Sequence, residues 1–396
     1  MTSKMDSPRP HSQHIARRRQ GGFSLIELMI ASTLGLLILT TMIGVFVSTS
    51  QTRNEVDKSN RQIENGRFAV EMLREDIQLA AFYGDYLPTS TIGWTTPNPC
   101  STRVSVMGFA AGFVPVGIYG FPDTVTSTTN NTYTWGGATD TEVDTLSCLS
   151  NRKAGTDILV IRRVSTKQIK VDADENGTRD ANVTNEDGTT GVTLASLGMG
   201  HYFQASNCSD TPSESAYVMS KDPTGFGLHG VKPTGTPASC MNGGLSPVRQ
   251  YMVRIYYVAT CNNCNGSGDG IPTLKMVELT PATAVCATTA TTACGSMAVV
   301  SIAEGIENLQ FEYGIDNDGD GVANFYSAAP AEADWKNALA VKIFLLARNT
   351  EVTADYTDTK TYSLASDGTM LAAFNDHYKR HVYAATARAV NIGNRR

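Results

Sequence analysis

The chain has 396 residues and a formal net charge of −6 at pH 7, which is enough length for a sizeable core in one or two domains. Its first 22 residues are basic, because Lys4, Arg9, Arg17, Arg18 and Arg19 stand against the single acid Asp6. The remaining chain is therefore more acidic than the whole. An acidic body argues against nucleic acid as a partner, since general nucleic-acid binding needs a clustered basic surface.

A long apolar segment follows the basic cluster. From Phe23 to Val47 the only charged residue is Glu27, and the twenty residues from Leu28 to Val47 carry no charge. A helix of this length spans a bilayer core of about 30 Å. A carboxylate at the start of such a segment is costly at bilayer depth, so we expect Glu27 to have a partner and a function. The basic residues before the span place the body on the non-cytoplasmic side.

The helix is predicted to continue beyond the membrane. No proline occurs between Phe23 and Pro88, and apolar residues recur at a helical spacing while most charged residues lie off their stripe. We predict one helix from Phe23 to about Ala81, with residues 23–47 in the membrane. Residues 48–87 form its amphipathic continuation, which docks on a globular domain. The apolar stripe consists of Val56, Ile63, Val70, Leu73, Ile77 and Ala80.

Residues 88–396 are predicted to form a β-rich globular domain. Pro, Thr, Ser, Asn and Gly become frequent after residue 87, and turn-rich stretches separate the β-prone runs. This pattern indicates an α+β fold in which the long N-terminal helix packs on an antiparallel sheet with long loops. The runs are Arg103–Phe109, Asp157–Val164, Ala216–Ser220, Arg249–Ala259, Leu274–Leu279, Leu339–Ala347 and His381–Val390.

Eight cysteines follow the apolar segment: Cys100, Cys148, Cys208, Cys240, Cys261, Cys264, Cys286 and Cys294. An even number outside the cytoplasm predicts disulfides, and eight cysteines allow 105 connectivities. Near-neighbour pairing is favoured, with Cys261–Cys264 and Cys286–Cys294 as short clips. Zinc is the alternative for the Cys261-Asn-Asn-Cys264 spacing, but only one such pair exists. A thioredoxin-like redox role is disfavoured because no βαβ pattern surrounds the pair.

One loop has the spacing of a calcium site. Asp316, Asp318 and Asp320 occupy the first, third and fifth positions of a run with Gly321 at the sixth, as at the start of a calcium loop. The twelfth position is Ser327 rather than the usual Glu, so another residue must complete the shell. Calcium is therefore a candidate ligand and not a required cofactor. The alternative is a surface turn that uses Asp and Gly for their turn chemistry.

A second acidic run begins at Asp172 and repeats this spacing less well. Asp174 holds the third position and Asp180 the ninth, but the twelfth position lacks an acid. For this run a plain loop is favoured.

No catalytic group emerges from the remaining sequence. His201, His229, His377 and His381 accompany no metalloprotease motif, and we expect them at the surface. The chain also lacks a nucleophile elbow, a phosphate loop and a dinucleotide-binding fingerprint. We therefore expect a protein that is not an enzyme.

The run Gly22-Phe23-Ser24-Leu25-Ile26-Glu27 resembles the type IV prepilin signature. The resemblance implies that a prepilin peptidase cuts between Gly22 and Phe23, which removes residues 1–22 as a leader, and that the new amino group of Phe23 is methylated. It also implies that Glu27 pairs with the amine of Phe23, on the same subunit or a neighbour. Such a buried pair fixes register more than it adds stability.

Two later segments, residues 305–314 and 377–396, resemble minor pilins of the PilW family and the related J-type pseudopilins. The resemblance implies a type IV pilin-like fold and a part in initiating pilus assembly, at the tip or in a priming complex. It implies as partners other minor and major pilins, the peptidase and methyltransferase, the inner-membrane assembly platform and the lipid bilayer. The body is then periplasmic before assembly and on the pilus at the cell surface afterwards.

Two alternative functions remain open from the sequence. One is a minor pseudopilin of type II secretion, although its length favours the PilW-like pilin. The other is a pilus-associated adhesin or binding module whose loops engage a ligand.

Overall fold

The computed structural model describes residues 22–88, 92–109, 112–122, 129–135, 138–144, 146–185, 190–208, 214–230, 244–287, 289 and 291–393. The chain divides into two compact units, one up to Asp57 and one from Lys58 onward. The α-helices of the described part of the chain are α1 (Leu25–Leu79) and the short α2 (Val390–Gly393).

Among the described residues, twenty strands follow α1 in the second unit. They are β1 (Gly93–Thr95), β2 (Phe113–Pro115), β3 (Ile118–Phe121), β4 (Thr129–Trp135), β5 (Ala138–Asp144), β6 (Ile158–Val164), β7 (Ile169–Lys170), β8 (Asn182–Asn185), β9 (Thr190–Thr193), β10 (Tyr202–Ala205), β11 (Tyr217–Ser220), β12 (Val248–Ala259), β13 (Thr273–Thr280), β14 (Ser296–Glu304), β15 (Ile306–Ile315), β16 (Phe325–Ser327), β17 (Ala338–Arg348), β18 (Tyr362–Ser363), β19 (Met370–Leu371) and β20 (Arg380–Arg388).

The first unit contains the apolar part of α1. Its side chains from Phe23 to Val47 are exposed within this chain, as expected for a surface that needs a partner other than its own body. Among the described residues, α1 is the helix that is long and apolar enough to cross a membrane. The predicted apolar helix is therefore present, and its exposed surface is consistent with membrane anchoring.

In the second unit, α1 buries Leu73 and Ile77 of the predicted stripe, with Ala80 just after the helix also fully buried, but its buried face includes residues that the stripe lacked. The buried residues of this face are Gln62, Gly66, Ala69, Leu73, Asp76 and Ile77. Ile63, which the apolar spacing placed on the stripe, is 43% exposed, and Val56, at the end of the first unit, is 52% exposed. The stripe prediction was wrong there because it counted only apolar residues. The observed face is completed by a glycine and by two polar side chains whose hydrogen bonds are satisfied.

Two of these residues show why small and polar side chains fit this face. An added Cβ at Gly66 would lie 2.3 Å from the ring of Tyr383, so only glycine allows this approach. The side-chain amide of Gln62 donates to the carbonyls of Ala347 (2.7 Å) and Lys379 (3.0 Å). Burying an amide is tolerated because its hydrogen bonds are made.

The helix ends at Leu79, close to the predicted end near Ala81, and the last residues of the predicted continuation up to 87 are not helical. Ala81 has a left-handed backbone (φ +60°), which breaks the helical path. The Ala81 amide instead donates to the carbonyl of Arg162 at 2.9 Å. The chain thus leaves the helix by joining β6.

A large antiparallel sheet is built around β12. This strand pairs with β6 and β13, and its first residues pair with β10 and β7. The outer strands β3 and β14 pair with β6 and β13, respectively. A second antiparallel sheet has the order β16-β15-β17-β20. One hydrophobic core joins α1 to both sheets, with Leu73, Ile255 and Val341 all fully buried.

Six of the seven predicted runs form strands: β6, β11, β12, β13, β17 and β20. The run Arg103–Phe109 instead contains a 3₁₀ turn at Val104–Val106, so that strand prediction was wrong. Its residues are buried almost throughout, and a short buried apolar run does not distinguish a strand from a helical turn. The predicted α+β class, with a long N-terminal helix and an antiparallel β domain, is confirmed.

Candidate functional site

The start of α1 holds Glu27 at a defined place. Ser24 precedes the first helical residue, and its amide donates to Glu27 Oε2 at 3.0 Å. The Ser24 hydroxyl oxygen in turn lies 3.4 Å from the amide of Ile26. This Ser-x-x-Glu arrangement is a capping box, in which two side chains satisfy amides that the helix leaves unpaired. The carboxylate therefore lies beside the backbone that connects to Phe23.

Gly22 and Phe23 lie in extended, exposed chain immediately before this cap. Phe23 is 88% exposed, and no atom lies within 4 Å of a Cβ added at Gly22. The bond between these residues is therefore sterically open to another protein. Residues 1–21 of the predicted leader lie outside the described residues.

Asp76 is the charged centre of the buried face of α1. Its carboxylate accepts from Arg254 Nη1 (2.8 and 3.0 Å), from Arg163 Nη2 (3.2 Å) and from the Tyr256 hydroxyl (2.6 Å). Arg254 also contacts Glu278 through Nε at 2.9 Å. Burial and the adjacent Asp76 carboxylate raise the pKa of the Tyr256 hydroxyl, which keeps it a hydrogen-bond donor. Sequence spacing gave no signal for this cluster, because the partners come from three separate strands.

A second charge cluster joins the two segments that resemble PilW minor pilins. β15 and β20 lie on either side of β17, and Arg380 reaches across to Glu307. The same guanidinium contacts Asp358 (2.9 Å) and Asp376 (2.6 Å) in the loop between β17 and β20. Arg380 is buried, and three carboxylates surround it. The cluster therefore ties this loop to the second sheet.

Hydrogen bonds from Arg380 hold the pKa of the Asp376 carboxyl below its usual value, although burial acts in the opposite direction. Burial also raises the pKa of Asp358, but hydrogen bonds from Tyr362 and Arg380 outweigh it, so the net direction is downward. Both carboxyls are thus held ionised. Their contribution to stability is present above the unfolded-state pKa of about 4 and is lost as the pH falls through the lower folded-state values.

The described cysteines are disulfide-bonded. Both predicted clips form, Cys261–Cys264 and Cys286–Cys294, and a third bond joins Cys100 to Cys148 across 48 residues. Cys208 is also disulfide-bonded, and Cys240 lies outside the described residues. The zinc alternative for Cys261 and Cys264 does not fit, because a disulfide occupies both sulfurs. The Cys100–Cys148 bond also joins consecutive cysteines of the sequence, in agreement with the favoured near-neighbour pairing.

The structure brings the three predicted calcium ligands together. Carboxylate oxygens of Asp316, Asp318 and Asp320 lie within 4.8 Å of one another. Asp316 is buried and accepts from the amides of Gly319 (2.6 Å) and Gly321 (3.0 Å), whereas the other two carboxylates are exposed. Three carboxylate oxygens suit a hard cation. Hydrogen bonds from the amides of Gly319 and Gly321, however, already engage both oxygens of Asp316. The loop is therefore a folded turn that also brings three carboxylate oxygens close together, as a calcium loop requires.

The weaker acidic run has a similar geometry. Asp172, Asp174 and Asp180 also bring carboxylate oxygens within 4.8 Å of one another. Burial acts to raise the pKa of the Asp172 carboxyl. Hydrogen bonds, including those from the backbone amides of Leu245 and Gly177, outweigh it, so the pKa lies below its usual value. These bonds give Asp172 a structural role that joins its own loop to Leu245, and the plain loop stays a prediction.

The predicted surface position of the histidines was wrong for His201. This residue is 2% exposed, and its Nε2 lies 3.1 Å from the carbonyl of Thr102. Burial, together with the positive charge of Lys221, lowers its pKa to about 4. His381 is exposed, and His377 contacts the carbonyl of Tyr356. Nothing in the described residues assembles these histidines into a site.

We expect His201 to make the folded body sensitive to mild acid. As the pH falls from 6.5 to about 4, the unfolded chain binds a proton at His201 while the folded chain does not. Stability is lost through this window, by on the order of 3 kcal/mol in total, and the loss levels off below it. His201→Gln should flatten the decline of Tm between pH 6.5 and 4. His381→Gln, at an exposed histidine, is the control, and equal slopes for both variants would contradict the assignment.

Comparison with protein families finds two matches. Residues 255–391 match the family described as type IV pilus-assembly protein W, PilW. Residues 17–43 match the prokaryotic N-terminal methylation motif. No curated protein and no solved structure matches the chain.

The two matched regions coincide with the features described above. The first contains the second sheet with its Arg380 cluster, and the second contains Gly22, Phe23 and the capped Glu27. Both families are structural components of pili rather than enzymes. Together, the matches support the assignment of this chain to the PilW family of type IV pilins, related to pilus assembly.

Proposed function

We propose that this chain is a minor pilin that takes part in initiating type IV pilus assembly, at the tip or in a priming complex. The observation that carries the proposal is the methylation-motif match over residues 17–43, joined to a capped Glu27 at the start of an exposed apolar helix. The PilW match in the body supports pilus assembly rather than another use of the same motif.

The first step is processing by a prepilin peptidase between Gly22 and Phe23, followed by methylation of the Phe23 amine. The exposure of Phe23 and the open space around Gly22 favour access to this bond. The precursor lies in the inner membrane with α1 spanning it once and the body in the periplasm. Its partners there are the bilayer, the peptidase and the assembly platform.

The second step is packing of the exposed apolar helix against other minor and major pilins. Exposed large side chains along residues 25–47 would otherwise face lipid. In the filament, the Glu27 carboxylate pairs with the Phe23 amine and fixes the register of neighbouring subunits. A body of residues 58–396 on one helix suits a low-copy position better than tight repetition along a fibre.

Gly22→Leu should abolish leader removal. Because no atom lies within 4 Å of a Cβ at this position, the side chain does not disturb the folded chain, and the effect falls on peptidase recognition. The intact mass of the membrane-extracted protein distinguishes precursor from product. Gly35→Leu is the matched control, since Gly35 is equally unencumbered. Mature Gly22→Leu protein with Phe23 at its N-terminus would refute the assigned cleavage site.

We also propose weak calcium binding at Asp316, Asp318 and Asp320, for which the convergence of three carboxylates is the support. A rise in Tm with millimolar calcium that is lost in Asp318→Asn would support it. The absence of any calcium-dependent shift would refute it.

A further inference from the structure

The hairpin loop between β12 and β13 contains an unusual pairing of a disulfide with a buried cation. The Cys261–Cys264 bond lies at the start of this loop. Lys275, on β13, places its Nζ 3.3 Å from Cys264 Sγ and 3.0 Å from the carbonyl of Asn262. Lys275 is only 6% exposed. Within the part of the chain that the structure describes, no carboxylate lies within salt-bridge distance of this ammonium.

A buried ammonium without a carboxylate is costly, so its position needs an explanation. A disulfide sulfur is neutral and a poor partner for a cation. A Cys264 thiolate at the same place would supply the missing negative charge. A nearby cation favours the thiolate, which is the reactive form of cysteine. The position of Lys275 therefore favours the reduced state at Cys264 more than the oxidised one.

The two sulfurs differ in access. Cys264 is half-buried, whereas Cys261 is 5% exposed. The backbone of Gly268 covers Cys261, because a Cβ added there would lie 3.2 Å from Cys261 Cβ and 3.6 Å from its Sγ. A reacting thiol can therefore approach Cys264 more readily than Cys261. Cys264 is therefore the sulfur that another thiol can attack, and Cys261 is the shielded sulfur that can resolve a mixed disulfide.

The other described disulfides lack this feature. Cys100 Sγ lies 3.3 Å from the amide of Cys148, and Cys286 Sγ lies near the carbonyl of Ala284. Two other charged side chains, Asp269 and Arg348, form hydrogen bonds with this loop. The Asp269 carboxylate is engaged by the amides of Asn262 and Asn263, and Arg348 donates to the carbonyl of Gly270.

We propose that Cys261–Cys264 is a redox-active pair that exchanges with a protein dithiol, with Cys264 forming the mixed disulfide and Lys275 holding its thiolate. This activity is separate from the proposed role in pilus assembly. It does not use a thioredoxin-like βαβ unit, because the pair lies in a β-hairpin. The cation on the neighbouring strand supplies the stabilisation instead.

The exchange balances as a two-electron reaction. A thiolate of the partner dithiol attacks Cys264 Sγ, the Cys261–Cys264 bond breaks, and Cys261 leaves with the electron pair and takes up a proton. The second partner thiol, after losing its proton, attacks the partner sulfur of the mixed disulfide. Cys264 then leaves as a thiolate beside Lys275, and the partner departs as a disulfide. The reverse sequence oxidises the pair.

The test uses the full chain in detergent micelles with glutathione disulfide as the probe. Cys261→Ser leaves Cys264 as a single reactive thiol, and Cys264→Ser leaves Cys261, so the two variants are matched. We expect Cys264 to form the mixed disulfide about tenfold faster than Cys261 at pH 6, because it is both more accessible and more ionised. Equal rates, or a faster Cys261, would overturn the proposal.

The role of Lys275 is tested in the Cys261→Ser chain. Lys275→Met should slow mixed-disulfide formation about tenfold at pH 6 and leave it nearly unchanged at pH 10, where the thiol ionises without help. Lys275→Arg should retain the rate, and Lys170→Met at an exposed lysine should have no effect. With Lys275 intact, half-maximal reactivity of Cys264 should lie below the ordinary value near pH 8.5. A midpoint at or above that value overturns the proposal whatever the lysine variants do.

Discussion

Subunits carrying Glu27→Ala should lose their leader normally but reach sheared filaments at about a tenth of the wild-type level or less. Breaking a buried charge pair costs roughly 3–5 kcal/mol. A loss of only about 1.4 kcal/mol in association already lowers occupancy tenfold. The measurement is an immunoblot of sheared filaments beside one of the membrane fraction, with mass spectrometry of the N-terminus to verify cleavage.

Two further variants separate the charge of Glu27 from its capping role. Glu27→Gln keeps an oxygen that accepts from the Ser24 amide but lacks the charge, and we expect the same loss of incorporation. Ser24→Ala removes a cap worth about 1 kcal/mol and leaves the charge, and we expect near-normal incorporation. Normal amounts of the Glu27→Ala subunit in filaments would contradict the proposal that Glu27 fixes the register of neighbouring subunits.

Replacing Asp76 with Ala should destabilise the body by roughly 3–5 kcal/mol, the typical cost of removing one partner from a buried ion pair. Asp76 is 3% exposed, and its loss leaves Arg163 buried without its carboxylate. Arg254 keeps Glu278, so it is affected less. The Tyr256 hydroxyl loses its acceptor as well. The measurement is the Tm of the detergent-solubilised chain, followed by the β-sheet signal.

Glu75→Ala is the matched control, because Glu75 is the adjacent acid on the same helix and is exposed. We expect a change within about 0.5 kcal/mol there, as for most surface substitutions. An Asp76→Ala protein as stable as the Glu75→Ala protein would show that the cluster does not hold α1 against the sheet.

The sequence was sufficient for the features that have local signals. Uninterrupted apolar length predicted the helix, and β-prone runs between turns predicted β12, β13 and β17. The close cysteine spacings predicted both short clips. Each of these depends on residues near one another in the chain, which is why pattern and spacing were enough.

The failures have a common physical origin in long-range contacts. The buried face of α1 includes Gln62, Gly66 and Asp76, whose burial depends on partners from distant strands. An apolar stripe could not predict polar residues that tertiary hydrogen bonds satisfy. His201 was expected at the surface for the same reason, since its partner Thr102 lies 99 residues away. Lys275 likewise lies beside Cys264 only because β13 pairs with β12, a contact that the sequence pattern did not predict.

The most direct test of the account is a clean deletion of the gene, scored for surface pili recovered by shearing and for type II secretion of a reporter protein. We predict scarce or absent pili with intact secretion, restored by the wild-type chain but not by Gly22→Leu. Normal pili with failed secretion would contradict the account and assign the chain to a type II secretion system. Normal pili with normal secretion would contradict a role in assembly altogether.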